Sequence, residues 1–130
     1  MIQELKHLGD AELEIMQAVW RAGEPVQSSY IQQALRSRRD WPLPAVLTAL
    51  NRLVEKGFLT CERRGRGNRY APAVSEEAYR EFEGRGFLQR LYGNSFPALV
   101  AALYRGRAIG REELSDLRRF LDELEGEEEK

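Results

Sequence analysis

The sequence holds one cysteine, Cys61, and one histidine, His7, in 130 residues. A single thiol closes no internal disulfide, and one thiol with one imidazole falls short of the three or four ligands that a metal site takes. A thiolate cluster for a soft metal is excluded on the same ground. His7 lies in the N-terminal lead, and no Ser/His/Asp set is readable around it. No glycine-rich loop opens a helix as phosphate or dinucleotide sites require, since Gly65-Arg66-Gly67 sits between two strand-like runs. The chain is therefore expected to be no enzyme and to take no cofactor or metal. No apolar run approaches the roughly 20 residues that cross a bilayer, and residues 1–8 lack the apolar core of a signal peptide. A cytoplasmic protein without membrane insertion is expected, and the lone thiol fits a reducing compartment.

What is present describes a folded chain of one or two small domains. Hydrophobic residues make up 42% and charged residues 32%, a balance that excludes disorder. The net charge of −1 conceals a division. Residues 1–72 hold 11 Lys and Arg against 8 Asp and Glu, while residues 73–130 hold 9 against 13. Residues 36–72 alone reach 9 basic against 3 acidic. A basic block beside an acidic one fits a chain of which one part meets phosphate; the alternative is scatter.

Apolar spacing predicts the elements. A helix begins near Gly9, with Leu8 and Leu13 as a hydrophobic staple and Glu12 in its first turn. Leu13, Met16, Val19 and Trp20 recur at helical spacing until Gly23 and Pro25. Val26 opens a short extended piece, and Ser28 or Ser29 caps a second helix with Ile31, Ala34 and Leu35 on one face. Trp41-Pro42-Leu43-Pro44 is an extended turn, because residues before proline avoid helical angles. Pro44 suits the first turn of a third helix that buries Val46, Leu50, Leu53 and Val54 and stops at Gly57. Residues 58–64 alternate as a strand, with Cys61 expected to pack within it. Residues 65–68 turn, and Arg69, Tyr70 and Ala71 return. Trp20 and Trp41 are expected in the core. This order of elements is that of a winged helix-turn-helix.

Beyond it, Ser75 caps a fourth helix reaching about Leu91. A fifth carries Phe96, Leu99, Val100 and Leu103, and a sixth carries Leu114, Leu117, Leu121 and Leu124. Residues 125–130 are mostly acidic and expected to fray. The predicted fold is mainly α with a small β-hairpin: a winged helix over residues 1–73 and a three-helix dimerisation segment over residues 74–130. Three short helices with wide apolar stripes cannot cover one another, so a second copy on a two-fold axis is expected to cover them. Phe87 and Leu91 join the eight residues of the fifth and sixth helices as expected dimer contacts. The alternative is a monomer whose last helices fold back on the winged helix.

The third helix leaves Pro44, Thr48, Asn51, Arg52 and Glu55 opposite its buried stripe, with Ala45 and Leu47 flanking. A helix entering the major groove leads with its N-terminal turns, so Thr48 meets a phosphate or thymine methyl and Asn51 or Arg52 a base edge or phosphate. Arg63, Arg64, Arg66 and Arg69 cluster on the hairpin. Guanidinium pairs well with phosphate oxygens, and four on one thin ribbon repel until an anion neutralises them. The alternatives are an ordinary solvated helix face and a solubilising loop. Arg36, Arg38 and Arg39 either add phosphate contacts or balance the dipole of the second helix. A rival from another class is a protein-interaction module, for which the apolar Ala45 and Leu47 would serve.

Residues 8–20, LGDAELEIMQAVW, resemble the opening helix of the BlaI/MecI/CopY family, the penicillinase repressors. Residues 48–57, TALNRLVEKG, resemble that family's recognition helix and its exit, and residues 87–93, FLQRLYG, its dimerisation segment. The similarity spans roughly residues 8–125. It implies homodimeric winged-helix repressors of double-stranded operator DNA with dyad symmetry, some controlling antibiotic-resistance genes. It also implies, for those, a membrane sensor-protease that signals through cleavage of the dimerisation segment. The scissile bond aligns with Ala102-Leu103. The copper-responsive branch does not fit a chain with one cysteine. Where the family has polar side chains near the start of the recognition helix, this chain has Pro44, Ala45 and Leu47, which remove hydrogen-bonding groups from the base-reading turn.

Overall fold

A computed structural model of the chain describes residues 5–128; residues 1–4 and 129–130 lie outside it, the latter part of the end expected to fray. Helices α1 (Asp10–Ala22), α2 (Ser28–Leu35) and α3 (Leu43–Glu55) precede strands β1 (Leu59–Arg64) and β2 (Gly67–Pro72). Helices α4 (Glu76–Tyr92), α5 (Phe96–Arg105) and α6 (Arg111–Glu128) follow. This is the mainly helical fold with one antiparallel hairpin that the sequence predicts.

The boundaries have local causes. The Gly9 amide donates to Glu12 Oε1 at 3.3 Å as α1 starts, and a left-handed Gly23 ends the helix. Pro42, extended, caps α3, and its carbonyl accepts from the Ala45 and Val46 amides. The second helix departs from expectation: Gln27 caps it, and Ser28 is already helical. The reason lies one residue earlier. Val26 N donates to Tyr70 O at 3.0 Å, and Tyr70 N donates to Val26 O at 2.8 Å. This bridge holds Val26 extended beside β2, so the helix starts directly after it.

α1, α2, α3 and the hairpin enclose one apolar cluster. Ile15, Met16, Val19, Ile31, Leu35, Val46, Leu50, Leu53, Phe58 and Tyr70 are buried in it. Full burial of such side chains contributes about 1.5–3 kcal/mol each. Tyr79 of α4 joins the same cluster. Its ring stands edge-on to Phe58, with centroids 5.6 Å apart. Its hydroxyl accepts from Leu8 N at 2.9 Å and donates to Glu83 Oε1 at 2.6 Å. Burial first, then Glu83, pushes the Tyr79 phenol up to about 12. Trp20 Nε1 donates to Val74 O at 2.9 Å, and the Arg39 guanidinium lies 5.6 Å over the half-buried Trp41 ring. The compact unit that holds this core ends at Glu83. The functional division expected between residues 73 and 74 separates strand from helix, whereas the compact unit runs on to include Tyr79 and its partner.

A second compact unit begins at Gly84. None of its described residues is buried. Phe87, Leu91, Phe96, Leu103, Tyr104, Phe120, Leu121 and Leu124 are 36–64% exposed. The Ser95 hydroxyl caps α5, accepting from Ala98 N at 3.2 Å. At the other end Arg107 holds φ +62, and the Arg107 and Ala108 amides close the helix on the Tyr104 and Leu103 carbonyls. α6 runs on to Glu128 rather than fraying at Glu125. Glutamate is a good helix former, and the single Gly126 is tolerated.

Candidate nucleic-acid interface

In the hairpin, Leu59, Cys61 and Arg63 pair with Pro72, Tyr70 and Asn68, while Thr60, Glu62 and Arg64 pair with Ala71, Arg69 and Gly67. Directly opposed residues share a face of the ribbon. Buried Leu59 and Tyr70 turn the first face toward the core. Cys61 shares that face but is exposed, not packed as expected, although Tyr70 directly opposite it on β2 is buried.

The four wing arginines therefore do not form one block. Arg64 and Arg69 lie on the outer face, Arg63 on the other, and Arg66 at the tip. Glu62 is interleaved with them: it stands opposite Arg69, and Arg64 Nη2 lies 3.7 Å from Glu62 Oε2. Part of the repulsion expected among the guanidiniums is thus relieved within the hairpin. Among the described residues, no carboxylate lies within ion-pair distance of Arg63, Arg66 or Arg69. Gly65, at φ +60, takes the first position of the two-residue loop. Gly67 sits so close to α2 that a Cβ there would lie 2.9 Å from Gln27 Nε2.

On α3, Pro44, Thr48, Asn51, Arg52 and Glu55 are exposed, as the helical wheel requires. Thr48 Oγ1 donates to Pro44 O at 3.0 Å, which leaves its oxygen to accept and its methyl to make apolar contact. Ala45 and Leu47 are half-buried, and Leu47 packs against the core rather than lying open. Leu43, which the sequence did not single out, is the more exposed apolar residue of that turn. Lys56 Nζ binds both carboxylate oxygens of Glu12, at 2.7 and 2.9 Å. Burial works to raise the Glu12 pKa, but hydrogen bonds from Lys56 and the Gly9 amide, with the charges of Lys56 and Arg52, outweigh it and hold the carboxyl below its ordinary value.

Two of the three arginines after α2 serve the fold. Arg39 pairs with Glu14, and Arg38 lies 3.9 Å from the same carboxylate. Arg36 is exposed.

The penicillinase repressor family matches residues 8–123. The chain belongs to that family. A penicillinase repressor of Bacillus licheniformis is 27% identical over 122 residues, spanning 94% of each chain. A transcriptional regulator BlaI of Mycobacterium tuberculosis is 33% identical over 131 aligned positions, spanning 94% of this chain and 88% of that one. The solution structure of B. licheniformis BlaI, a monomeric form in complex with the blaP half-operator, is similar at TM-score 0.50 and 28% identity. That likeness covers 60% of this chain and 94% of the other. The winged-helix part of this penicillinase repressor family member thus has a fold partner bound to DNA.

The residues expected at the dimer contact fall on three helices. Phe87 and Leu91 lie on α4, Phe96, Leu99, Val100 and Leu103 on α5, and Leu114, Leu117, Leu121 and Leu124 on α6. Leu99, Val100, Leu114 and Leu117 are half-buried and the other six exposed. Tyr104 and Phe120 are exposed apolar residues that sequence reading missed. Phe120 was legible, since Leu117, Phe120, Leu121 and Leu124 follow i, i+3, i+4, i+7. Ala102 and Leu103, where the family resemblance puts the scissile bond, are exposed within α5, and Ala102 O accepts from Gly106 N at 2.9 Å. A protease would have to unwind this turn to bind the bond in extended form.

Proposed function

We propose that the chain is a homodimeric transcriptional repressor that holds a dyad-symmetric operator, α3 lying in the major groove and the hairpin on flanking backbone. The observation that carries this reading is the exposed set of Arg52, Arg63 and Arg66, displayed with half-buried Arg69 by α3 and the hairpin beside Thr48 and Asn51. Arg63 and Arg66 lack an internal counter-ion among the described residues, and phosphate supplies one. Arg69 lies opposite Glu62 without forming an ion pair with it. Thr48, Asn51 and Arg52 read base edges, while Pro44 and Leu43 offer apolar contact to thymine methyl groups. The two recognition helices of a dimer fit half-sites about 34 Å apart, one turn of duplex.

The exposed apolar faces of α4, α5 and α6 support dimerisation, because patches of this kind are covered by a partner. Release follows from separating the two copies. Cutting at Ala102-Leu103, or prying α5 and α6 apart, leaves a monomer that holds one half-site and loses the gain from bivalent binding. A membrane sensor-protease is the partner proposed for the cut.

A second reading, a protein-interaction module, draws on exposed Leu43 at the start of α3. One measurement separates the two. The purified protein is titrated with its own promoter DNA and with random duplex at two salt concentrations. The repressor reading expects tight promoter binding that falls steeply with salt. It also expects Thr48→Val and Arg52→Ala to weaken promoter binding more than random binding. A protein indifferent to both duplexes in dilute salt favours the interaction module.

A further inference from the structure

α4 belongs to both compact units, and its composition changes where they divide. The helix runs over 17 residues, Glu76–Tyr92, while the first unit ends at Glu83 and the second begins at Gly84. Gly84 and Gly86 stand on either side of Arg85 at that division, in mid-helix. Glycine regains more freedom than any other residue when a helix opens. Each one in a helix interior therefore shifts the balance toward the open form by about fivefold relative to alanine.

Nothing in the structure asks for glycine at either position. Neither holds a positive φ. A Cβ at Gly84 would meet nothing within 4 Å. One at Gly86 would meet the Arg90 guanidinium, with Nη1 at 2.7 Å, the far end of a flexible side chain that can turn aside. Neither a left-handed turn nor close packing within the chain explains the pair. A local rule broken without local gain points to a function.

The two sides of the gap are fastened separately. Before it, Tyr79 is buried, Phe82 packs against the core, and the Tyr79 hydroxyl donates to Glu83. After it, the Phe87 and Tyr92 rings meet edge-on, with centroids 5.7 Å apart. Between them Gly84 and Arg85 are exposed and Gly86 is half-buried. Among the described residues, no side-chain hydrogen bond or ion pair reaches Arg85.

We infer that α4 opens at Gly84-Arg85-Gly86, and that these two glycines set which half-site spacings the repressor accepts. An added base pair moves one half-site by about 3.4 Å and rotates it by roughly a tenth of a turn about the duplex axis. An unbroken helix resists both changes, whereas an open turn lets each DNA-binding unit follow its own half-site. This rests on the dimeric repressor proposed above and adds the residues that decide its tolerance of operator geometry.

Gly84→Ala combined with Gly86→Ala in the full chain tests it, since both methyl groups find room. Hydrogen exchange of the amides of residues 84–90, corrected for the intrinsic rate of each residue, is expected to slow about tenfold or more as the open population falls. Dimerisation in sedimentation equilibrium and affinity for a half-operator should stay native. The chain's own promoter duplex is then lengthened or shortened by one base pair at its dyad. The native chain is expected to change affinity less than about fivefold across the series, and the variant tenfold or more.

Exchange that does not slow, or a variant as tolerant of spacing as the native chain, would overturn the inference while leaving the repressor. A variant that dimerises tenfold more weakly would overturn it too, because the glycines would then serve close packing between copies. A native chain that holds the full operator no more tightly than a half-operator would overturn the dimeric reading itself, and the role in spacing with it, whatever the exchange rates.

Discussion

Lys56, the residue that caps the exit of α3, grips the carboxylate of Glu12 in the first turn of α1 through both oxygens. The same carboxylate accepts from the Gly9 amide. One acid therefore ties the start of the first helix to the end of the helix proposed to read DNA.

Glu12→Gln is expected to destabilise the winged helix by about 1 kcal/mol at neutral pH, a modest figure because Lys56 is a third exposed. The Glu12 carboxyl titrates below its usual 4.5 in the folded state. A depressed carboxyl contributes stability that is complete above the unfolded value and is lost as pH falls through the folded one. The gap in Tm between native protein and variant should thus be constant from pH 7 to about 5 and close on further acidification. A gap that persists undiminished at pH 2 argues against the pair.

Tyr79→Phe keeps the ring against Phe58 but strips the Leu8 amide and Glu83 of a shared partner. A loss of about 1–2 kcal/mol is expected in urea denaturation. The Tyr79 phenol is raised from 10.0 to about 12. A raised acid contributes stability that is present below the unfolded value and lost as pH rises through the folded one. Native protein should lose stability between pH 10 and 12 more steeply than the variant, and parallel alkaline limbs would contradict this.

In the wing, Arg64→Ala, Arg66→Ala and Arg69→Ala together should lower affinity for every duplex. The logarithmic salt slope should flatten by about 0.9 for each phosphate that is no longer neutralised. Glu62→Gln should do the reverse, raising non-specific affinity a few-fold by releasing Arg64 and the facing Arg69. Filter binding at several salt concentrations reads both, and an unchanged slope in the triple variant removes the wing from the interface.

Leu121→Asp places a charge in the α6 seam without touching the core that ends at Glu83. The variant is expected to sediment as a monomer with the thermal transition of the winged helix retained. It should keep the native affinity for a half-operator and lose the extra affinity that the full site gives a dimer. A dimer of native strength would place the contact elsewhere.

The fold was legible because its punctuation is strong. Gly23, Pro42, Gly57 and the glycines of the wing fall between apolar stripes of clear period, so element types followed from spacing. What escaped depends on a third dimension that spacing does not carry. Ser28 and Ser29 are better caps than Gln27 by propensity, yet the pairing of Val26 with Tyr70 decides where α2 begins. Alternation marks Cys61 as inward, but only packing reveals that the core covers Tyr70 of β2 and leaves the facing Cys61 of β1 open. Leu47 lies on the flank of the helical wheel, and its half-burial depends on how α3 is tilted against its neighbours. The ties from Tyr79 to Leu8 and from Lys56 to Glu12 join residues 71 and 44 positions apart, beyond the reach of any local rule.

The bridge between Val26 and Tyr70 fastens the wing in the middle of β2, and beside the tip loop Gly67 rests on the side chain of Gln27, the residue that follows Val26. The ribbon is in effect braced against the N-terminal cap of α2. Force applied at its tip bears on the first turn of α2, so the wing and the helix pair yield as one mechanical part.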